Sequence, residues 1–224
     1  MNGDELPAPI PATDPAIGLR AVGALHRLAE KVEASNVALA RERGWSWNRS
    51  AMRWASPGSR FTPNTESETD MFERFAGEAR TAVHAGAEEA KRRGDRRIGT
   101  DHLLLGLFHD PQSRRILGTD LESARAGLDA LDRESLEAVG ITVDHFGPLD
   151  APIKASRVTF TSAARSVIQD SLILTTKEKA RRITTRHLLL ALLERRQPDP
   201  AAVLLDHLGV DAVALKARLK SPDS

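Results

Sequence analysis

Two stretches decide the fold: Ile98–Leu107, IGTDHLLLGL, and Ile183–Leu192, ITTRHLLLAL. They share the pattern Ile-x-Thr-x-His-Leu-Leu-Leu-x-Leu, and the likeness continues on both sides. Phe75–Phe108 aligns with Phe160–Leu193 without a gap at a single offset of 85 residues, so that Phe75 falls on Phe160, Ala79 and Arg80 on Ala164 and Arg165, and His102 on His187. A self-match of this length at fixed spacing marks a duplicated structural unit. Each unit opens with a charged helical pattern and breaks at a basic stretch, RRGDRR at 92–97 and KARR at 179–182. It restarts at Thr100 or Thr185, read here as the N-cap of a Leu-rich helix. HLLLGLF and HLLLALL are apolar on every side, which predicts that these two helices form a shared core.

Working outward, further helices are predicted at 121–131 and 135–139 after the first core and at 201–208 and 213–219 after the second, and strand signals are nearly absent. The expected fold class is all-α, a pseudo-twofold tandem helical repeat with a helical N-terminal extension. Residues 1–16, with four prolines, read as a disordered tail. Leu19, Val22, Leu25, Leu28 and Val32 recur at helical spacing, giving a helical segment over 17–44 that Gly44 stops. From 45 to 70 the periodicity is lost among Pro57, Gly58 and Pro63, an irregular basic linker. The repeat domain then occupies 71–224, with repeat one at 71–140 and repeat two at 157–220.

Composition excludes several classes of function. Lys plus Arg number 32 against 31 Asp plus Glu, a net charge of +1, so no global field selects nucleic acid or an acidic membrane. Cysteine is absent, which removes disulfides, thiolate metal sites and cysteine nucleophiles together. The acidic, Pro-rich start is unlike a secretory signal, and no apolar run reaches the roughly 18 residues needed to cross a bilayer, so a cytoplasmic protein is expected.

MFERF at 71–75, IGTDHLLLGL at 98–107 and FTSAAR at 160–165 are similar to the Clp R repeats that form the N-terminal domain of ClpC-type protein-unfolding ATPases. The resemblance runs from Met71 to near Lys220. It implies a module that receives peptides, unfolded or marked proteins, Clp adaptors or an unfoldase. The sequence contains no Walker A motif: GDRRIGT at 94–100 lacks the Lys that reaches the phosphates. No G-x-S-x-G elbow or Ser-x-x-Lys pair is present either. Neither an enzyme activity nor a cofactor or metal is expected.

The resemblance also implies where ligands meet such a module. In related bacterial domains the Thr-x-His turns, with an acid at x, form pockets for phosphorylated arginine, the acid taking the guanidinium and the helix start taking the phosphate. Here the corresponding residues are Thr100 and Asp101 in repeat one and Thr185 and Arg186 in repeat two, and Arg186 opposes a guanidinium. A groove between repeats implies an apolar contact surface at Phe72 and Phe160, edged by Arg80 and Arg165, with Phe75 assigned to the core. His102 and His187 lack a partner at ligand spacing on their own helices and read as core or capping histidines.

A rival reading comes from the N-terminal side. Arg41, Arg43, Arg49, Arg53 and Arg60 interleave with Trp45, Trp47 and Trp54, a composition found in nucleic-acid-binding segments. ARERGWSW at 40–47 resembles the opening of the helix-turn-helix carried by small actinobacterial Clp R proteins, and the chain departs from that pattern after Trp47 in the manner of a shifted reading frame. A DNA-binding regulator with the repeats as ligand sensor is the alternative function. As encoded, Pro57 and Gly58 interrupt the recognition helix, so nucleic acid is not an expected partner.

Overall fold

A reciprocal exchange between the repeats organises the fold. The computed structural model describes residues 14–42, 73–143, 152 and 158–220. In it Ile98 pairs with Phe160 where β1 (Arg97–Ile98) runs parallel to β2 (Thr159–Phe160), and Phe75 bridges to Ile183 in the same sense. The 85-residue offset converts one pair into the other. The hydrogen bonds follow suit: the Thr161 amide donates to the Ile98 carbonyl at 3.0 Å, and the Ala76 amide donates to that of Ile183 at 2.8 Å. Each repeat hands its leading phenylalanine to the turn of the other, as a pseudo-twofold axis requires. The sequence pattern did not predict these strands, because two-residue ladders are too short to impose an alternating period.

Nine helices occupy the described residues: α1 (Pro15–Glu42), α2 (Gly77–Arg93), α3 (Thr100–Leu107), α4 (Pro111–Leu117) and α5 (Leu121–Ala138), then α6 (Ser162–Lys177), α7 (Thr185–Leu193), α8 (Pro200–His207) and α9 (Ala212–Lys220). The Leu-rich helices α3 and α7 lie at the centre, every leucine in them no more than 5% exposed. Burying such a side chain stabilises by roughly 2 kcal/mol before entropy is counted, so these two short helices carry much of the apolar driving force.

Local chemistry sets the boundaries. Gly94, at φ 86°, closes α2 in the left-handed conformation and its amide reaches the carbonyls of Ala90 and Lys91. Asp110 and Asp199 each cap a helix whose first residue is proline. That Asp-Pro pair is the signal that could have revealed α4, which the periodicity did not. Helix α5 is one continuous helix and not the two predicted pieces: the charged run Asp132-Arg133-Glu134 resembles a break, but Asp132 points inward to bind arginines.

The approach of α2 to α3 requires glycine. A Cβ on Gly106 would stand 2.1 Å from the Ala82 carbonyl oxygen, and one on Gly86 would stand 2.7 Å from that of His102. The equivalent positions in repeat two are Ser171 and Ala191, both fully buried, and the Ser171 hydroxyl donates to the Val167 carbonyl at 2.8 Å. The duplicated helix pairs are therefore packed differently.

Candidate functional site

The two Thr-x-His turns open the Leu-rich helices α3 and α7. Gly99 and Thr184 are the N-caps, while Thr100 and Thr185 are the first helical residues and are buried. The expected capping role therefore belongs to the preceding residue, and histidine completes it. The Gly99 amide donates to His102 Nδ1 at 3.0 Å and the Thr184 amide donates to His187 Nδ1 at 3.1 Å, as Glu or Gln does in a capping box. Nδ1 must then be the bare nitrogen and Nε2 the protonated one. Nε2 lies 3.1 Å from Asp95 in repeat one and 3.2 Å from Glu178 in repeat two. Both histidines are buried fasteners of a helix start.

This arrangement gives a pH prediction. Burial holds His187 below its ordinary value, against the pull of Glu178. A depressed histidine favours the neutral folded state, so this contribution is complete above about pH 6.5 and is lost as pH falls below it. Glu89 is buried, which alone would raise its carboxyl, but hydrogen bonds from Arg125, His109 and Arg92 hold it at about 2. Its contribution is complete above about pH 4.5 and disappears toward 2. Thermal melts followed by circular dichroism between pH 8 and 3 are expected to show stability falling in two stages. His187→Gln keeps a capping-box acceptor that does not titrate, and should remove the upper stage alone.

Thr100 is occupied inside the protein. Its hydroxyl donates to Asp199 at 2.8 Å and accepts from the Ala201 amide at 3.3 Å, locking the start of α3 in repeat one to the start of α8 in repeat two. The expected phosphate-gripping role for Thr100 is corrected on that ground. Arg186 is also committed: Nε and Nη2 donate to the Leu219 carbonyl at 2.9 and 2.6 Å, and Nη1 donates to Glu178.

The phenylalanines require a second correction. Phe160 is 4% exposed and belongs to the core with Phe75, because its strand is the one that crosses to the other repeat. It cannot form an open contact surface. Phe72 lies outside the described residues, as do Trp45, Trp47 and Trp54. Arg80 and Arg165 are exposed in the first turns of α2 and α6, and Arg80 Nη2 donates to the Phe75 carbonyl at 3.4 Å.

Two recesses at related places on the seam replace that surface. The first, about 150 Å³, is formed by the start of α7 with Thr185 and Arg186, by Ile116 on α4 of the opposite repeat, and by Leu215, Arg218 and Leu219 on α9. Its floor is apolar and its rim carries arginines. The second, about 280 Å³, is formed by the start of α3 with Asp101, by Leu131 and Asp132 on α5, and by Pro200 and Val203 at α8 of the opposite repeat. The 85-residue relation places α7 where α3 stands, so the recesses are pseudo-symmetric mates: the first carries Arg186 and Arg218, while the second is acidic on its α3 and α5 walls, where Asp101 and Asp132 stand opposite Arg20 and Arg27 of α1. They differ also in cover, since residues of α1, among them Leu19 and Arg27, complete the acidic recess.

Beneath α1 lies a buried charge cluster. Arg27 Nε donates to Asp132 Oδ2 at 3.0 Å, its Nη2 also reaches Asp132, and Nη1 lies 3.3 Å from Asp95. Arg93, 1% exposed, donates to Asp132 at 2.5 Å and to Asp129 at 3.1 Å. Burial pushes the Asp132 carboxyl above its usual range, against the pull of both guanidiniums. No grouping of three or more His, Asp or Glu suited to a metal ion occurs among the described residues.

This fold and seam define a class: a helical domain built from two exchanged repeats. The chain carries a Clp repeat (R) N-terminal domain, the family whose description matches residues 159–222. Among known proteins it is 28% identical over 172 residues to the chloroplastic ATP-dependent Clp protease ATP-binding subunit ClpA homolog CD4B of Solanum lycopersicum, covering 72% of this chain and 16% of that protein. With the ATP-dependent Clp protease ATP-binding subunit ClpC of Staphylococcus aureus (strain USA300) it shares 30% over 148 residues, 66% of this chain and again 16% of the relative. The chain thus spans about a sixth of the length of these relatives. The crystal structure of the N-terminal domain of the caseinolytic-protease-associated chaperone ClpD from Arabidopsis thaliana superposes with a TM-score of 0.51 at 25% identity, covering 66% of this chain and 93% of that one. No described helix is long and apolar enough to cross a membrane.

Proposed function

We propose that the chain is a binding module of the Clp system that holds peptide segments of unfolded proteins or adaptors, without chemistry of its own. The observation that carries this reading is the basic recess at the seam, to which both repeats contribute an apolar floor beneath Arg186 and Arg218. Such a floor takes an apolar side chain of a bound segment. A recess built from both repeats depends on their docking, so the duplication has a use that one unit alone would not supply. Kinship with the N-terminal regions of Clp ATP-binding subunits supports the same system.

The test uses fluorescein-labelled casein as an unfolded probe and fluorescence anisotropy as the readout. Wild type should bind it, and Ile116→Glu, which places a charge on the half-buried floor, should weaken binding about tenfold with an unchanged circular dichroism spectrum. Equal affinity in the two proteins, or no binding by wild type, would contradict the reading.

A further inference from the structure

Helix α1 of the same chain forms one wall of the acidic recess. Helix α1 lies along α5 with Ala21 and Ala24 fully buried, and Ala24 joins Leu136 and Val143 in a small cluster separate from the main core. Of its larger apolar residues, Leu25 and Leu28 pack half-buried against that cluster, whereas Leu19 is 68% exposed, Val22 52% and Val32 40%. Apolar contact of this kind is unselective, and the specific part of the attachment is Arg27 inserted between Asp132 and Asp95. The fit is also incomplete, since Arg20, which lines the same recess, keeps its Nε buried without a hydrogen-bond partner.

If α1 leaves, the main core loses cover at Leu128 and Leu131, and Asp132 retains Arg93. What becomes exposed is this apolar strip on α5, beside Asp132 and Asp95, which have lost the guanidinium of Arg27. That surface has the chemistry of its present cover. The pseudo-symmetric basic recess carries no equivalent of α1 among its lining residues, so the two mates differ in access as well as in charge.

We propose that the α1-covered face is a second docking surface, selective for an amphipathic helix that presents an arginine beside small residues, and that α1 is its occupant in cis, displaced when a partner helix of this kind binds. This deepens the peptide-binding reading and rests on it for the identity of the partner as a polypeptide. It makes the acidic recess a gated site and the basic recess an ungated one.

The experiment uses the full chain and, as probe, a labelled synthetic peptide of residues 15–42, whose anisotropy reports binding. Arg27→Ala in the chain weakens the cis contact, so this variant should bind the peptide at least about tenfold more tightly than wild type. A peptide carrying Arg27→Ala should bind neither protein. Equal peptide affinity for wild type and variant, or no binding to a variant with a native circular dichroism spectrum, overturns the proposal. Hydrogen exchange on wild type gives a second readout independent of any substitution. Amides of 18–32 should exchange through an opening that leaves 77–93 and 100–107 protected, and exchange of all three only together would show that α1 does not open alone. Casein separates the two readings. Peptide binding to Arg27→Ala in the absence of casein binding would defeat the proposed function and leave the gated surface standing, and the reverse result would do the opposite.

Discussion

Asp132→Ala is expected to lower the stability of the folded chain by about 3–5 kcal/mol, measured as the shift in urea unfolding. Asp132 is 6% exposed and binds two guanidiniums, one of which, Arg93, is 1% exposed. Removing the carboxylate leaves a buried cation facing Asp129, which is partly open to water at 27% side-chain exposure, with Asp95 also acting on it. The favourable part of a buried pair is offset by desolvation while both members are present, so the large effect comes from breaking the pair and not from its intrinsic strength. Arg27→Ala, which removes the less committed cation, should cost far less. A loss below about 1 kcal/mol for Asp132→Ala would mean that Arg93 escapes to water, which its burial disfavours.

The second large effect belongs to Gly106. Valine there would drive its Cβ to 2.1 Å from the Ala82 carbonyl oxygen and 2.7 Å from the Gly86 amide nitrogen, both backbone atoms that cannot rotate away. Overpacking of this kind costs about 3 kcal/mol or more, and the urea midpoint should fall accordingly. Repeat two supplies the control. Ala191 already carries a Cβ at the equivalent place while fully buried, so Ala191→Gly should cost only about 1 kcal/mol, the helix-propensity difference. Comparable losses at the two positions would show that the close approach of α2 and α3 does not discriminate between the repeats.

Much of the architecture is legible in the residues. The constant offset between the two Leu-rich stretches announces the duplication, all-round apolarity announces the core, and Thr-x-His announces two equivalent helix starts. Boundaries are less legible where one residue type serves two purposes. Asp132 reads as an interruption of a helix because an isolated charge is normally solvated, yet its partners arrive from α1 and α2, distant in sequence. Phe160 reads as a groove residue because core and surface aromatics look alike along a chain. Only the crossing of β2 into the other repeat shows that it is enclosed.

The candidate site follows the same division. Arg186 and Asp101 stand at equivalent positions, and their opposite charge is visible in the sequence. Thr100 looks available to a ligand until Asp199, ninety-nine residues away, is seen to accept its hydrogen bond. The cover over the acidic recess was not foreseen either, because an amphipathic pattern says that a helix has an apolar face without saying what that face meets.

By itself the sequence determined that this protein is a duplicated helical unit with a Leu-rich centre, since periodicity and self-similarity are local properties that residues display in order along the chain. Tertiary structure alone decided that the repeats trade their leading phenylalanines, that two recesses form on the seam, and that Arg27 lines one of them. These depend on contacts between residues far apart in the chain, where burial and the pairing of charges are settled only once the helices have packed.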